Sequence, residues 1–180
     1  MDLNLNEKWS FWYHDPYNCK WTIDSYKKIL DIKTIRDFAK INNSWDILPN
    51  INKSMYFLMK IPILPIWEDK HNIKGGLWSF KIIGDDAYIL DVWTKLSIYL
   101  LGESLLKNIN NELINGISVS RKKNFSIIKL WCKTDCVLSE FNDDILELLE
   151  KNKAIYKPHN ENIINDTKKK FKNKFTNKIR

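Results

Sequence analysis

The stretch FSIIKLW, residues 125–131, alternates with a period of two. Ser126, Ile128 and Leu130 leave one side of a strand, while Phe125, Ile127, Lys129 and Trp131 leave the other. The first set suits a covered core. The second places a Lys beside a Trp, which suits a face left open to a ligand. This one run therefore predicts a sheet with helices on one side only.

The rest of the chain supplies the other pieces. Strand-like runs lie at 8–14, 55–61, 77–83 and 113–120, with further candidates at 20–26 and 154–157. Three segments have helical periodicity. The first follows Thr34, a plausible N-cap, with Ile35, Phe38 and Ile41 on one side. The second is expected to open at Asp91 and to bury Val92, Leu96, Tyr99 and Leu100. The third is expected to be capped by Ser139, with Phe141, Ile145 and Leu148 inward. Strands in meander order with interspersed helices predict an α+β fold: a curved antiparallel sheet with three helices over its convex face.

The 180 residues carry 44% hydrophobic and 28% charged side chains, as a single packed domain does. That domain is expected to span 1–180, with a short N-terminal extension over 1–7 and a basic loop or tail over about 158–180. The net charge of +7 favours an anionic partner, and part of it lies in KKKFKNKFTNKIR, residues 168–180. Cys19, Cys132 and Cys136 are too few for a disulfide framework and lack zinc-ligand spacing, so reduced thiols are expected. No apolar run reaches the length of a membrane span, and the N-terminus does not read as a signal peptide. The expectation is a cytoplasmic protein, monomeric by itself, without metal or cofactor.

Eight Trp exceed what a core of this size requires. Trp9, Trp12, Trp78 and Trp93 are assigned to the core. Trp67 lies within IPILPIWEDKHNIKGGLWSF, residues 61–80, a loop-like stretch where a large aromatic beside Glu68 and Asp69 calls for a reason. Trp21 and Trp67 on separate loops suit a flat ring held from both sides. A carboxylate at Glu68 suits a ring edge with adjacent N–H groups, which guanine presents at N1 and N2. Methylation at N7 adds a delocalised positive charge, which strengthens attraction to indoles and carboxylate alike. Arg121 and nearby lysines would take attached phosphates. The set suits a 7-methylguanosine.

The same residues carry a resemblance. WSFWYHD (9–15), TIRDFAKINN (34–43), ILPIWEDKHNIKGGLW (63–78), VWTKLSIYLLGES (92–104) and INGISVSR followed by IIKLW (114–131) stand in the order of the cap-binding translation initiation factor 4E family. The resemblance implies a slot on the concave face that binds the messenger RNA cap. It implies that Trp21 and Trp67 stack on the guanine and that Glu68 reads its edge. Trp131 would meet the N7 methyl group, and Arg121 would bind phosphate. Asp69 is expected to shape its loop. The position after Gly75-Gly76 is commonly basic in the family and is Leu77 here. The segment between Arg121 and Trp131 is one residue longer, which leaves Lys123 and Lys129 both open as the second phosphate ligand. Lys170, Lys172 and Lys174 resemble the family's C-terminal loop and are further candidates.

On the helical face, the family docks scaffold or repressor peptides against a Trp of the first helix and Leu residues of the second. Here Ala39 and Thr94 occupy such positions, while Ile35 and Ile98 remain apolar. The resemblance thus implies a non-standard scaffold or repressor partner, as in a divergent lineage such as a large DNA virus. The expected function is recruitment of capped messenger RNA to translation. The rival readings are a cap-sequestering repressor, a nucleotide- or cap-processing enzyme, and a general single-strand binder. The chain has no glycine phosphate loop, dinucleotide fingerprint or supported nucleophile–His pair, which argues against the enzyme.

Overall fold

The computed structural model describes residues 2–107, 111–149, 153–161, 163, 164 and 167. Seven strands form one curved antiparallel sheet: β1 (Asn4–His14), β2 (Tyr26–Thr34), β3 (Met55–Lys60), β4 (Gly76–Ile82), β5 (Ile114–Arg121), β6 (Ser126–Cys132) and β7 (Ile155–Pro158). Their order across the sheet is β2-β1-β3-β5-β6-β4-β7. The sheet is therefore not the simple meander expected, since β4 crosses beyond β6 and takes β7 as its outer neighbour. β1 starts at Asn4, within the stretch expected to be an extension.

The second strand lies over 26–34 and not over 20–26. It is an edge strand with lysines turned to water, a composition that protects an open edge and obscures the strand pattern. Helix α1 (Ile35–Asn42) begins at the expected cap: Asp37 N–H donates to Thr34 Oγ1 at 3.1 Å and Thr34 N–H returns to Asp37 Oδ2 at 3.1 Å. Helix α2 runs Asp86–Leu101, one turn earlier than Asp91, because Asp85 is the cap and accepts from Tyr88 N–H at 2.8 Å. Its first turn is exposed and thus lacks an apolar stripe. Helix α3 (Asp143–Leu148) is capped by Asn142 and not by Ser139, which lies in a preceding 3-10 turn.

Two apolar clusters lie on opposite sides of the sheet. The larger joins Phe11, Tyr56, Ile117, Ile128 and Leu130 to Val92, Trp93 and Leu96 of α2 and to Ile145 of α3. The smaller holds Tyr26, Met55, Phe57, Met59, Ile63, Leu77 and Trp131. Ile128 and Leu130 in one cluster and Trp131 in the other bear out the alternation of β6. Trp9 and Trp93 are core, whereas Trp12 and Trp78 are only half-buried. Trp78 donates its indole N–H to Cys136 O at 3.0 Å. Cys132 and Cys136 are paired as a disulfide, correcting the expectation of three reduced thiols, because the chain after β6 folds back on its own end. Only Cys19 is free, and it is exposed.

The two glycines before Leu77 serve close backbone approach. A Cβ on Gly75 would lie 1.9 Å from Cys132 O, and one on Gly76 would lie 2.7 Å from Lys157 O. Only glycine lets β4 pair with both neighbours at this point.

Candidate nucleotide-binding site

The smaller cluster floors a cavity of about 260 Å³ on the concave side. Trp21 and Trp67 line it from two loops, Glu68 lines it beside Trp67, and Trp131 of the buried cluster lies in its floor. Four residues singled out in the sequence thus meet, although they are spread over 110 positions.

Each is held by a local device. Trp21 is 46% exposed, yet one face stacks on buried His14 at 4.5 Å with planes 4° apart. His14 Nε2 lies 2.8 Å from Lys20 O, so that nitrogen carries the proton and donates. The Ser25 hydroxyl lies 3.0 Å from the same carbonyl, and Lys20 N–H donates to Asn18 Oδ1 at 2.9 Å. An exposed indole is therefore fixed by the loop that bears it.

The Trp67 loop is tied down from below. Asp69 accepts from the N–H groups of His71 at 2.8 Å and Leu64 at 3.1 Å, and its carboxylate meets the His71 ring at 2.8 Å. Burial pushes the Asp69 carboxyl up, but these bonds outweigh it and hold the group below its ordinary value. Buried Asn72 donates to Leu64 O and Ile66 O, and Asn115 donates to His71 O and Asn72 Oδ1. Asp69 is the loop-shaping residue expected. Asn72 and Asn115 perform the same task.

Trp131 is 2% exposed and donates its indole N–H to Ser118 Oγ at 3.0 Å, with the ring of buried His159 behind it at 5.2 Å. Burial, and then the Lys129 charge, push His159 down to about 4, so this imidazole is neutral near pH 7. Tyr26 also lines the cavity. Burial, and then the Glu68 carboxylate, raise its phenol well above the ordinary range, so it stays a neutral donor beside Glu68.

The cations are arranged differently from the expectation. β5 pairs Arg121 with Ser126, which faces the helical side, so Arg121 turns away from the slot. Its guanidinium lies 3.4 Å from Asn52 Oδ1 and lines an adjacent cleft, as Lys123 does. Ser118, Ser120 and Lys122 face the slot instead, by the period of two. Lys122 was legible from that same alternation. Lys129 lines the slot, and burial, and then the charges of Lys122 and Lys157, push it down to about 8. Lys157 pairs with Leu77 across the β4–β7 edge, so a basic side chain stands next to the position where Leu77 removes one. Lys170, Lys172 and Lys174 lie outside the described residues. On the helical side, Ile35 is 51% and Ile98 is 54% exposed, Ala39 is exposed, and Thr94 bonds Asn42.

Two indoles, one carboxylate and a set of like charges define a binding module for a flat, electron-poor ring that carries anionic groups. No group of His, Cys, Asp or Glu side chains that could hold a metal ion is found among the described residues. The sequence model described as eukaryotic initiation factor 4E matches residues 4–174. A Saccharomyces cerevisiae eukaryotic translation initiation factor 4E is 30% identical over 161 residues, covering 85% of this chain and 70% of that protein. An initiation factor 4E homolog of Acanthamoeba polyphaga mimivirus is 34% identical over 113 residues, 58% of this chain and 40% of that one. The fold is similar to the Ascaris suum eIF4E-3 complex with m7G cap, with TM-score 0.72, 23% identity and 88% and 92% of the two chains covered. It is also similar to a schistosome eIF4E complexed with m7GpppG and 4E-BP, with TM-score 0.73, 21% identity and 88% and 89% covered. The chain belongs to the eukaryotic initiation factor 4E family.

Proposed function

We propose that this chain binds the 7-methylguanosine cap of messenger RNA in the concave slot and recruits the message for translation initiation in the cytoplasm. The observation that carries the reading is the meeting of Trp21, Trp67 and Glu68 at one cavity. Trp21, stacked on His14, offers its free face to the ring, and Trp67 closes on the other side. Glu68 accepts the guanine N1 and N2 hydrogens. The floor indole of Trp131 meets the N7 methyl group. Lys122 and Lys129 receive the phosphates, with Lys157 at the edge. The protein acts as a binding module and not as an enzyme. A scaffold or repressor segment docks on the helical side over Ile35 and Ile98, pared down by Ala39 and Thr94.

Calorimetric titration with 7-methylguanosine triphosphate against GTP tests this. The methylated nucleotide should bind at least about tenfold tighter, because only the charged ring gains a cation–π attraction of roughly 1–2 kcal/mol. Glu68→Gln should cost at least about 1.5 kcal/mol of that binding. Equal affinities for the two nucleotides would remove the cap reading, and continuous heat from turnover would restore the enzyme.

A further inference from the structure

The slot does not end at Lys122. Beyond that side chain lies a second cleft of about 420 Å³, with Tyr17, Lys53, Asp86, Arg121 and Lys123 on its walls and Lys122 shared between the two. Four cations there face one carboxylate. That carboxylate is already engaged, since Asp86 accepts from the side-chain amides of Asn50 and Asn52. Among the described residues, Lys53, Lys122 and Lys123 form no ion pair. Asp86 stays charged and offsets part of Lys53 and Arg121, but four cations against one carboxylate leave an excess of positive charge that favours an anion.

Tyr17 adds a second, independent feature. Its side chain is 87% exposed, yet its turn is locked: Tyr17 N–H donates to Asp15 Oδ1 at 2.9 Å and Asn18 N–H to Asp15 O at 3.0 Å. A phenol held in water on a fixed turn forgoes its burial energy and is a ready platform for a flat ring. An isolated phosphate would use the cations without the ring. A nucleotide uses both.

We propose that this second cleft binds the RNA chain that follows the guanine, with phosphodiesters on Lys53, Arg121 and Lys123 and a nucleobase stacked on Tyr17. This rests on the cap reading of the slot, because Lys122 is where a ligand seated there passes from one cleft into the other. The contacts are to backbone charge and to a ring face, so the cleft accepts any sequence. It lengthens the recognised ligand from a nucleotide to a short capped strand.

Affinities for 7-methylguanosine triphosphate and for a capped RNA of five nucleotides, measured by fluorescence quenching, test the proposal. The whole chain is used, as wild type and as the Lys53→Glu, Tyr17→Ala double variant. In the wild type the capped RNA should bind at least about tenfold tighter than the mononucleotide, whereas in the variant the ratio should fall below about threefold. Because the ratio is taken within each protein, any shared loss of slot affinity cancels. Removing one phosphate contact should also make the salt slope for the RNA shallower by about 0.7. If the wild type binds both ligands alike, the second cleft fails while the cap reading stands. A ratio that survives in the variant places the RNA elsewhere and overturns the proposal. Failure of the mononucleotide to bind wild type overturns the cap reading itself.

Discussion

On the helical face, Phe11 stacks on Tyr56 at 5.2 Å with planes 7° apart, and Trp45 meets both edge-on at 6.2 and 5.2 Å. On the slot face, Trp21 stacks on His14 at 4.5 Å with planes 4° apart. The local geometry is the same. What differs is the cover: Trp93 of α2 and Trp45 close over Phe11 and Tyr56, whereas Trp21 lines a cavity. A stacked aromatic pair under helices holds the fold together, and the same pair without cover leaves one ring face open to the cavity. The slot therefore needs polar anchors that the core does not, and His14, Asp69, Asn72 and Asn115 provide them.

The sharpest way to break this comparison is to truncate one ring on each face. Phe11→Ala should lower unfolding free energy by about 3–5 kcal/mol in denaturant titration, as large-to-small core changes do. Trp21→Ala should lower it by less than about 1 kcal/mol, yet remove about 1–3 kcal/mol of cap affinity. Comparable unfolding losses from both would mean that the slot face is core after all.

A smaller effect sharpens the assignment of the cations. Lys122→Ala should weaken 7-methylguanosine triphosphate by about 1.5 kcal/mol and leave the bare nucleoside unchanged, since a charge-assisted bond to phosphate is lost. Arg121→Ala should weaken the mononucleotide less. The reverse ranking would return Arg121 to the slot.

The smallest effect is a pH dependence. Lys129 lies near 8 in the folded chain, below the ordinary lysine value, because burial and neighbouring lysines disfavour its charge. The unfolded chain holds that proton to higher pH, so folding stability should fall as pH drops from the ordinary lysine value to about 8 and change no further below it. Bound phosphate reverses the preference and draws a proton on to Lys129. The affinity ratio of triphosphate to nucleoside should therefore rise as pH falls from 9 to 7, and the rise should vanish in Lys129→Met. A ratio flat over that interval would remove Lys129 from the phosphate path.

Much of the slot was legible in the chain. The alternation of FSIIKLW assigned Trp131 and Lys129 to the open face, and the Pro-apolar-Trp-Glu-Asp run placed Trp67 and Glu68 together. Thr34 was recognisable as a cap because the apolar stripe of Ile35, Phe38 and Ile41 follows it directly. The misreadings have particular causes. α2 begins earlier than its apolar stripe because the first turn is exposed. β2 was displaced because its outward lysines hide the strand pattern. Arg121 was assigned to the slot by chemistry, whereas the β5–β6 pairing turns it to the other side, since a slip of one residue exchanges the faces of a strand. Lys157 carried no signal, because its place beside Leu77 depends on a pairing with β4 some 80 residues away in the chain.

The sequence by itself determined which side chains share a face within each strand, which loops carry ring-binding chemistry, and that the chain is cationic. These are short-range properties, set by the strand and helix periods and by residue type. Tertiary structure alone decided that Lys157 stands beside Leu77, that His14 backs Trp21, and that Arg121 opens on to a second cleft. Those outcomes depend on strand register and order across the sheet, which arise from the simultaneous fit of distant segments against one core.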